Sequence, residues 1–352
     1  MGESISYSKL ALIMILFALG CIKNLDWEVD NPLLPIPDSP LGIENNLSDL
    51  AVPPTSERVR LGRWLFFDKR LSADGTISCA SCHRPENAFS EPTSVSTGIG
   101  NQKGFRKAPS FINQAWTIYP HFFWDGRAAS LEAQALEPIA NPVEMGNTLK
   151  AVVQTIQEIK GYAKYFKEAY GTEEINNERI AQAIADYGRT RISGNSAWDQ
   201  WSLNGERGGV SEEVILGHEL FFGKAKCKEC HLGENLTDSS FHNLGIGWDY
   251  KKRIFADEGR FIVSNDEIDK GAFKTPTLRD VSKHAPYMHD GSIATLRDVI
   301  EHYNKGGNLN PYLSKKIKPL NLDEDEITAL VKFMEALDGE GYQDVMPSFF
   351  PQ

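Results

Sequence analysis

The pentapeptide Cys-x-x-Cys-His occurs twice, as Cys79-Ala80-Ser81-Cys82-His83 and as Cys227-Lys228-Glu229-Cys230-His231. This spacing constrains the chain more than any other feature, because it is the attachment signature of c-type haem. Two thiols set this close reach both vinyl groups of one porphyrin and form thioethers, and the adjacent imidazole takes an axial place on the iron. A bare Cys-x-x-Cys would also suit a redox dithiol or half of a zinc site. Two copies, each ending in His, disfavour both. We therefore expect two covalently bound haem c groups, one on Cys79 and Cys82 and one on Cys227 and Cys230, with His83 and His231 as axial ligands.

The chain has 352 residues, 41% of them hydrophobic, enough for two compact domains with their own cores. Of its five cysteines the two motifs use four. The fifth, Cys21, closes an N-terminal stretch that reads as an export signal: Lys9, the apolar run Leu10 to Leu19, then Gly20. Ala18-Leu19-Gly20-Cys21 has the form of a bacterial lipobox, so residues 1–21 are expected to be a lipoprotein-type signal with Cys21 lipidated. Ordinary signal cleavage nearby, or a retained anchor, is the alternative. The apolar run is too short to span a bilayer. An exported, membrane-tethered protein in the periplasm, or otherwise outside the cytoplasm, agrees with where c-type haem is attached. The net charge of −11 disfavours nucleic-acid binding. It suits a basic redox partner and equally well plain solubility.

The sequence around each haem motif is repeated. Ser56-Glu57-Arg58-Val59-Arg60-Leu61-Gly62 precedes the first motif and Ser211-Glu212-Glu213-Val214-Ile215-Leu216-Gly217 the second, running on to Leu65-Phe66-Phe67 and Leu220-Phe221-Phe222. Ala108-Pro109-Ser110-Phe111 parallels Thr275-Pro276-Thr277-Leu278, and Asp125-Gly126-Arg127 parallels Asp290-Gly291-Ser292. Ordered recurrence at three places means an internal duplication. Ser56 and Ser211 are placed as helix N-caps, and further helices are expected to open at Ser130 and Thr295, to cover Glu178–Thr190, and to run from Asp323 to Leu337. The fold is expected to be mostly α, with long loops and little β. Residues 22–55 carry six prolines and read as an extended arm or tether. Residues 56–204 and 210–345 are the two expected domains, with a linker at Gly205–Gly209.

Beyond the haem motifs, Phe123-Trp124-Asp125-Gly126-Arg127, Glu144-Met145, Phe273-Lys274-Thr275-Pro276-Thr277-Leu278-Arg279 and Ala285-Pro286-Tyr287-Met288-His289-Asp290-Gly291 resemble the bacterial dihaem cytochrome c peroxidase family, including its MauG-type branch. The resemblance implies two cytochrome c-like domains, an N-terminal haem that meets hydrogen peroxide and a C-terminal haem that relays or stores electrons. Peroxidases of the family carry a His in the loop here spanning Glu91–Lys107; this loop contains no His, Met or Cys, which implies an N-terminal iron open on its distal face. His121 is the rival ligand. Glu132 matches the acid/base carboxylate of the family, seven residues after Asp125, whereas the second repeat has Arg297 there. Tyr303 falls where peroxidases place a Met ligand and MauG-type enzymes a Tyr, with His302 and Met288 as rivals. A phenolate is a hard anionic donor that stabilises oxidised iron and lowers the potential.

The chain also departs from the family. Phe122 stands where many members have a distal Gln beside the Phe-Trp pair, so Phe122, Trp124 and Arg127 would form a drier distal pocket. Members bind calcium between the domains through an Asn and two carbonyls matching His284 and Pro286; the Asn position is Lys107, whose ammonium cannot ligate calcium but can place its own charge there. Trp116 lies in the segment that supplies the family's conducting aromatic. Three functions follow as expectations. The first is a MauG-like enzyme in which peroxide drives oxidation of an external donor, including a protein substrate. The second is a conventional peroxidase fed by a small cytochrome or cupredoxin, and the third a dihaem electron carrier without chemistry of its own.

Overall fold

The computed structural model describes residues 26–117, 121–205 and 209–352. The expected signal segment with Cys21 lies outside the described residues, as do residues 206–208 of the expected linker. Among the described residues no helix is long and apolar enough to cross a membrane.

The helices are α1 (Asp26–Asp30), α2 (Ser56–Phe67), α3 (Leu131–Ala140), α4 (Leu149–Glu158), α5 (Lys160–Tyr170), α6 (Asn177–Arg189), α7 (Ala197–Asn204), α8 (Glu212–Phe222), α9 (Phe261–Ser264), α10 (Leu296–Asn304) and α11 (Glu324–Glu335). Among the described residues, short 3₁₀ turns and two antiparallel pairs make up the rest of the regular structure: β1 (Phe241–Asn243) with β4 (Ala272–Lys274), and β2 (Trp248–Asp249) with β3 (Ile254–Phe255). The fold is thus mostly α, with long connecting loops.

The helix starts follow from side-chain caps. Ser130, Ser211 and Thr295 accept from the backbone N–H of Ala133, Val214 and Asp298, satisfying donors that the first turn leaves free. α2 begins one residue earlier than expected, because Thr55 rather than Ser56 takes the cap and accepts from Arg58 N at 3.3 Å. At α11, Asp323 and Glu326 form a reciprocal capping box.

Each repeat builds one core around one helix crossing. In the first, α2 packs on α6, burying Leu61, Leu65, Phe66, Ile180, Ile184 and Tyr187. In the second, α8 packs on α11, burying Val214, Leu220, Phe221, Leu330 and Phe333. Both crossings close on a glycine. A Cβ on Gly62 would overlap the carbonyl of Ala183, and one on Gly217 would overlap that of Ala329. Glycine is therefore required for the close helix approach, and equivalently so in both repeats.

The Pro-rich arm lies against the body from α1 onward. Trp27 packs on the first core and donates Nε1–H to the hydroxyl of Tyr165 at 2.6 Å. Farther along, Ile43 and Leu47 pack with Ile192 and Trp116, and Gly42 O accepts from Arg279, a fully buried cation of the second repeat paired with Asp199.

Candidate haem sites

Both Cys-x-x-Cys-His segments fold as the same tight turn. Cys79–Ser81 and Cys227–Glu229 are single 3₁₀ turns, and the backbone N–H of His83 and of His231 returns to the first cysteine's carbonyl at 2.9 Å. The imidazoles are oriented alike. Nδ1 of His83 bonds the carbonyl of Phe89 at 3.0 Å, and Nδ1 of His231 bonds that of Leu236 at 2.8 Å. An Nδ1–H donated to a carbonyl leaves the Nε2 lone pair for a metal. Burial pushes both imidazoles below the ordinary His range, His231 to about 4, so both are neutral bases. The donor set and its geometry fit c-type haem at both places.

A cavity of about 1050 Å³ lies against the first motif. Cys79, Cys82 and His83 line one side; Phe122, Trp124, Arg127 and the 131–145 segment line others, and Asn235, Asp257 and Lys274–Thr277 of the second repeat close it. Of the Glu91–Lys107 loop, Ser96, Gly98 and Gly104 to Lys107 reach the wall, and none of these side chains is an iron ligand. The His121 ring packs against Phe241 instead, and His121 is not among the wall residues. Phe122 is buried on the wall, Trp124 donates Nε1–H to Lys107 O at 2.8 Å, and Arg127 is held by Asp125 and Glu137 over the ring of Phe123. Trp116 also reaches the wall, its buried indole N–H without a partner among the described residues.

Glu132 is not on that wall. The residues of α3 that face the cavity are Leu131, Gln134, Ala135 and Pro138, the one-sided set that helical spacing produces. Glu132 lies off this stripe and binds Arg189 at 2.7 Å, which also holds the buried Asp186. Glu144 does reach the wall, bonded to Asn141 Nδ2 at 2.7 Å, and burial raises its pKa.

At the second motif Tyr303 and His302 diverge, being neighbours on α10 and about 100° apart around the helix. His302 Nε2 bonds the carbonyl of Leu244 at 3.0 Å. Tyr303 lies near the Cys227 and Cys230 pair, its hydroxyl without a hydrogen-bond partner among the described residues; burial, then the charge of those two cysteines, raises its pKa. Beside Cys230, His242 and Asp238 pair at 2.9 Å. A thioether at Cys230 would leave this pair alone, too small a set for a metal.

The repeats meet through equivalent residues. Lys107 N donates to His289 O, and Lys274 N donates to Trp124 O, both at 2.8 Å. Lys107 and Lys274 precede the repeated x-Pro step, and Trp124 and His289 precede the repeated Asp-Gly, so the contact is a pseudo-two-fold exchange between the copies. Arg106 adds a bridge, binding Asp125 of the first repeat and Asp257 of the second, each at 2.6 Å. Lys107 itself is buried, its Nζ donating to Glu91 O, near a His284 whose sealed Nε2 has no partner. The ammonium of Lys107 cannot supply the side-chain oxygen that the family's Asn gives to calcium, so the residue here does not fit that ion.

Comparison with known proteins agrees with this architecture. A family model described as di-haem cytochrome c peroxidase matches residues 56–208, and one described as cytochrome c matches residues 214–338. The methylamine utilization protein MauG of Methylorubrum extorquens is 40% identical over 298 residues, 84% of this chain and 82% of that protein. The chain belongs to the di-haem cytochrome c peroxidase and MauG family. It is also 34% identical over 288 residues to the cytochrome c551 peroxidase of Nitrosomonas europaea, with 82% of each chain covered. Among solved structures, a MauG-like protein associated with microbial copper homeostasis superposes with a TM-score of 0.77 at 32% identity, covering 89% of this chain and 95% of that one. As a family member the chain is a peroxidase-type oxidoreductase of two cytochrome c-like domains. Sequence reasoning missed Glu144 and Lys274 as wall residues, although both lie inside motifs that carry the resemblance; the repeat, which aligns Lys274 with Lys107, was the available signal.

Proposed function

We propose that this chain is a MauG-like enzyme, exported and tethered through Cys21, that uses hydrogen peroxide to oxidise an external donor. Cys79 and Cys82 would hold one haem and Cys227 and Cys230 the other, with His83 and His231 as axial ligands. The bound haems supply the site of O–O cleavage and the redox equivalents. The observation that supports the reading is Tyr303: a half-buried phenol close enough to Cys227 and Cys230 to feel their charge, its hydroxyl without a hydrogen-bond partner among the described residues. A phenolate held away from water at that place would need a cation beside it, and ferric iron is one.

On the first side, the Glu91–Lys107 loop would bring no His, Met or Cys to the distal face, which Phe122 and Trp124 would line. Phe122 keeps that face dry. Glu132 is the proton carrier of this proposal, and it serves from a rotamer that leaves Arg189. Glu144 offers a second reading, because its carboxyl already lies on the cavity wall and burial favours its protonated form. Trp116, a cavity-wall residue whose indole N–H has no partner among the described residues, would carry electrons. Lys107 takes the role of the inter-domain cation, so no calcium is needed.

Peroxide added to the fully oxidised protein tests the reading. A prompt spectral change without prior reduction supports it. A change that requires reduction by a small cytochrome or cupredoxin favours the conventional peroxidase instead, and no reaction in either state leaves only an electron carrier.

A further inference from the structure

We infer that Lys274, contributed by the second repeat, binds a carboxylate of the haem held by the first repeat. The inference rests on the assignment of that haem to the large cavity. Four cationic side chains stand on the cavity wall, and three have acidic neighbours. Arg106 binds Asp125 and Asp257, Arg127 binds Asp125 and Glu137, and Lys107 lies beside Glu91. Lys274 has no carboxylate within ion-pair distance among the described residues. Its Nζ donates only to the carbonyl of His121 at 2.6 Å and stands 5.2 Å from the Phe122 ring centroid. Burial alone acts on this ammonium and lowers its pKa to about 8. A desolvated cation left without an anion is costly, and a chain keeps one where a ligand brings the missing charge.

Haem brings that charge. Its two propionates lie on the porphyrin edge opposite the vinyl groups, and the vinyl edge is fixed by Cys79 and Cys82. Those cysteines belong to the first repeat, whereas Lys274 is brought to the same wall by the second, at the end of β4, where its backbone is already locked to Trp124. Lys274 is therefore a positioning residue that couples the second repeat to the first haem without touching the iron.

The test compares wild type with Lys274→Met and Lys274→Arg, each shown by intact mass to carry both haems. Midpoint potentials are read by spectroelectrochemistry and propionate bending modes by resonance Raman. The expected result is a lower potential and a shifted propionate mode at the first haem in Lys274→Met, no change at the second haem, and recovery in Lys274→Arg. Unchanged potential and mode in Lys274→Met overturn the inference. So does a wild-type potential that follows added chloride or phosphate while the propionate mode stays fixed, which would make the partner a small anion. Intact mass showing no haem on Cys79 and Cys82 in wild type would instead remove the underlying assignment. Should Lys274→Met not fold, the wild-type anion titration and Lys274→Arg still decide.

Discussion

Lys107 donates its backbone N–H to the carbonyl of His289 at 2.8 Å, and the equivalent Lys274 returns the same bond to Trp124. Each haem-bearing copy thus grips the other through the residue just ahead of its own Asp-Gly turn. Around these bonds cluster Arg106 with its two aspartates and a Phe273 ring stacked on His289 at 3.5 Å. Domain contact and the cavity beside the first motif are one structure, because the second repeat supplies part of the cavity wall.

Replacing Tyr303 by Met should raise the potential of the second haem and bring the optical signature of thioether ligation. Replacing it by Phe should leave that iron with an open or water-filled position. Spectroelectrochemistry and near-infrared magnetic circular dichroism read both. Variants indistinguishable from wild type would show that Tyr303 is not a ligand.

Glu132→Gln should slow the peroxide reaction by about 10²–10⁴-fold, the range of a positioned acid/base group. Glu144→Gln should slow the reaction far less than Glu132→Gln does. Stopped-flow rates separate the two carboxyls, and the reverse ranking would transfer the proton role to Glu144.

Calcium removal should do nothing. With Lys107 at the inter-domain position, neither excess chelator nor added calcium should move the melting temperature or the optical spectrum of the wild type. A chelator-induced loss of stability, or stoichiometric calcium binding by calorimetry, would contradict the role given to Lys107.

Acid should weaken the inter-domain face. Burial, then Lys107 and Lys283, holds His284 down to about 3, and burial holds His289 at about 4. Both lie below the unfolded value of about 6.5. The unfolded chain therefore takes up protons first, and stability present above pH 6.5 is lost as pH falls toward these folded values, by an amount on the order of a few kcal/mol. Melting temperature against pH should fall less steeply in His284→Asn than in wild type. Equal slopes would remove His284 from the account.

The two helix crossings give a purely structural check. Gly62→Ala and Gly217→Ala should each destabilise their own half by about 1–3 kcal/mol, since each Cβ meets a backbone carbonyl that cannot yield without separating the helices. Calorimetry should show the loss in either variant.

Much of this was legible in the chain because local chemistry carries it. Cys-x-x-Cys-His dictates its own turn, caps at Ser130, Ser211 and Thr295 dictate helix starts, and the repeat announces itself by equivalent glycines at Gly62 and Gly217. What the sequence could not show depends on how helices rotate and loops close. Glu132 is adjacent to Leu131 in the chain, yet only Leu131 faces the cavity, because the angle of α3 is set by its packing on α6 and by Arg189. The arm likewise reads as a tether by its prolines, but Ile43 and Leu47 pack with Ala115, Trp116 and Ile192, all more than 60 positions away.

The central claim is an N-terminal iron ligated on one side only, beside a second iron held by His231 and Tyr303. Electron paramagnetic resonance of the resting ferric protein tests it most directly. The account predicts one high-spin and one low-spin haem in equal amounts, with the high-spin signal alone perturbed by added peroxide or cyanide. Two low-spin haems that exclude cyanide would contradict it.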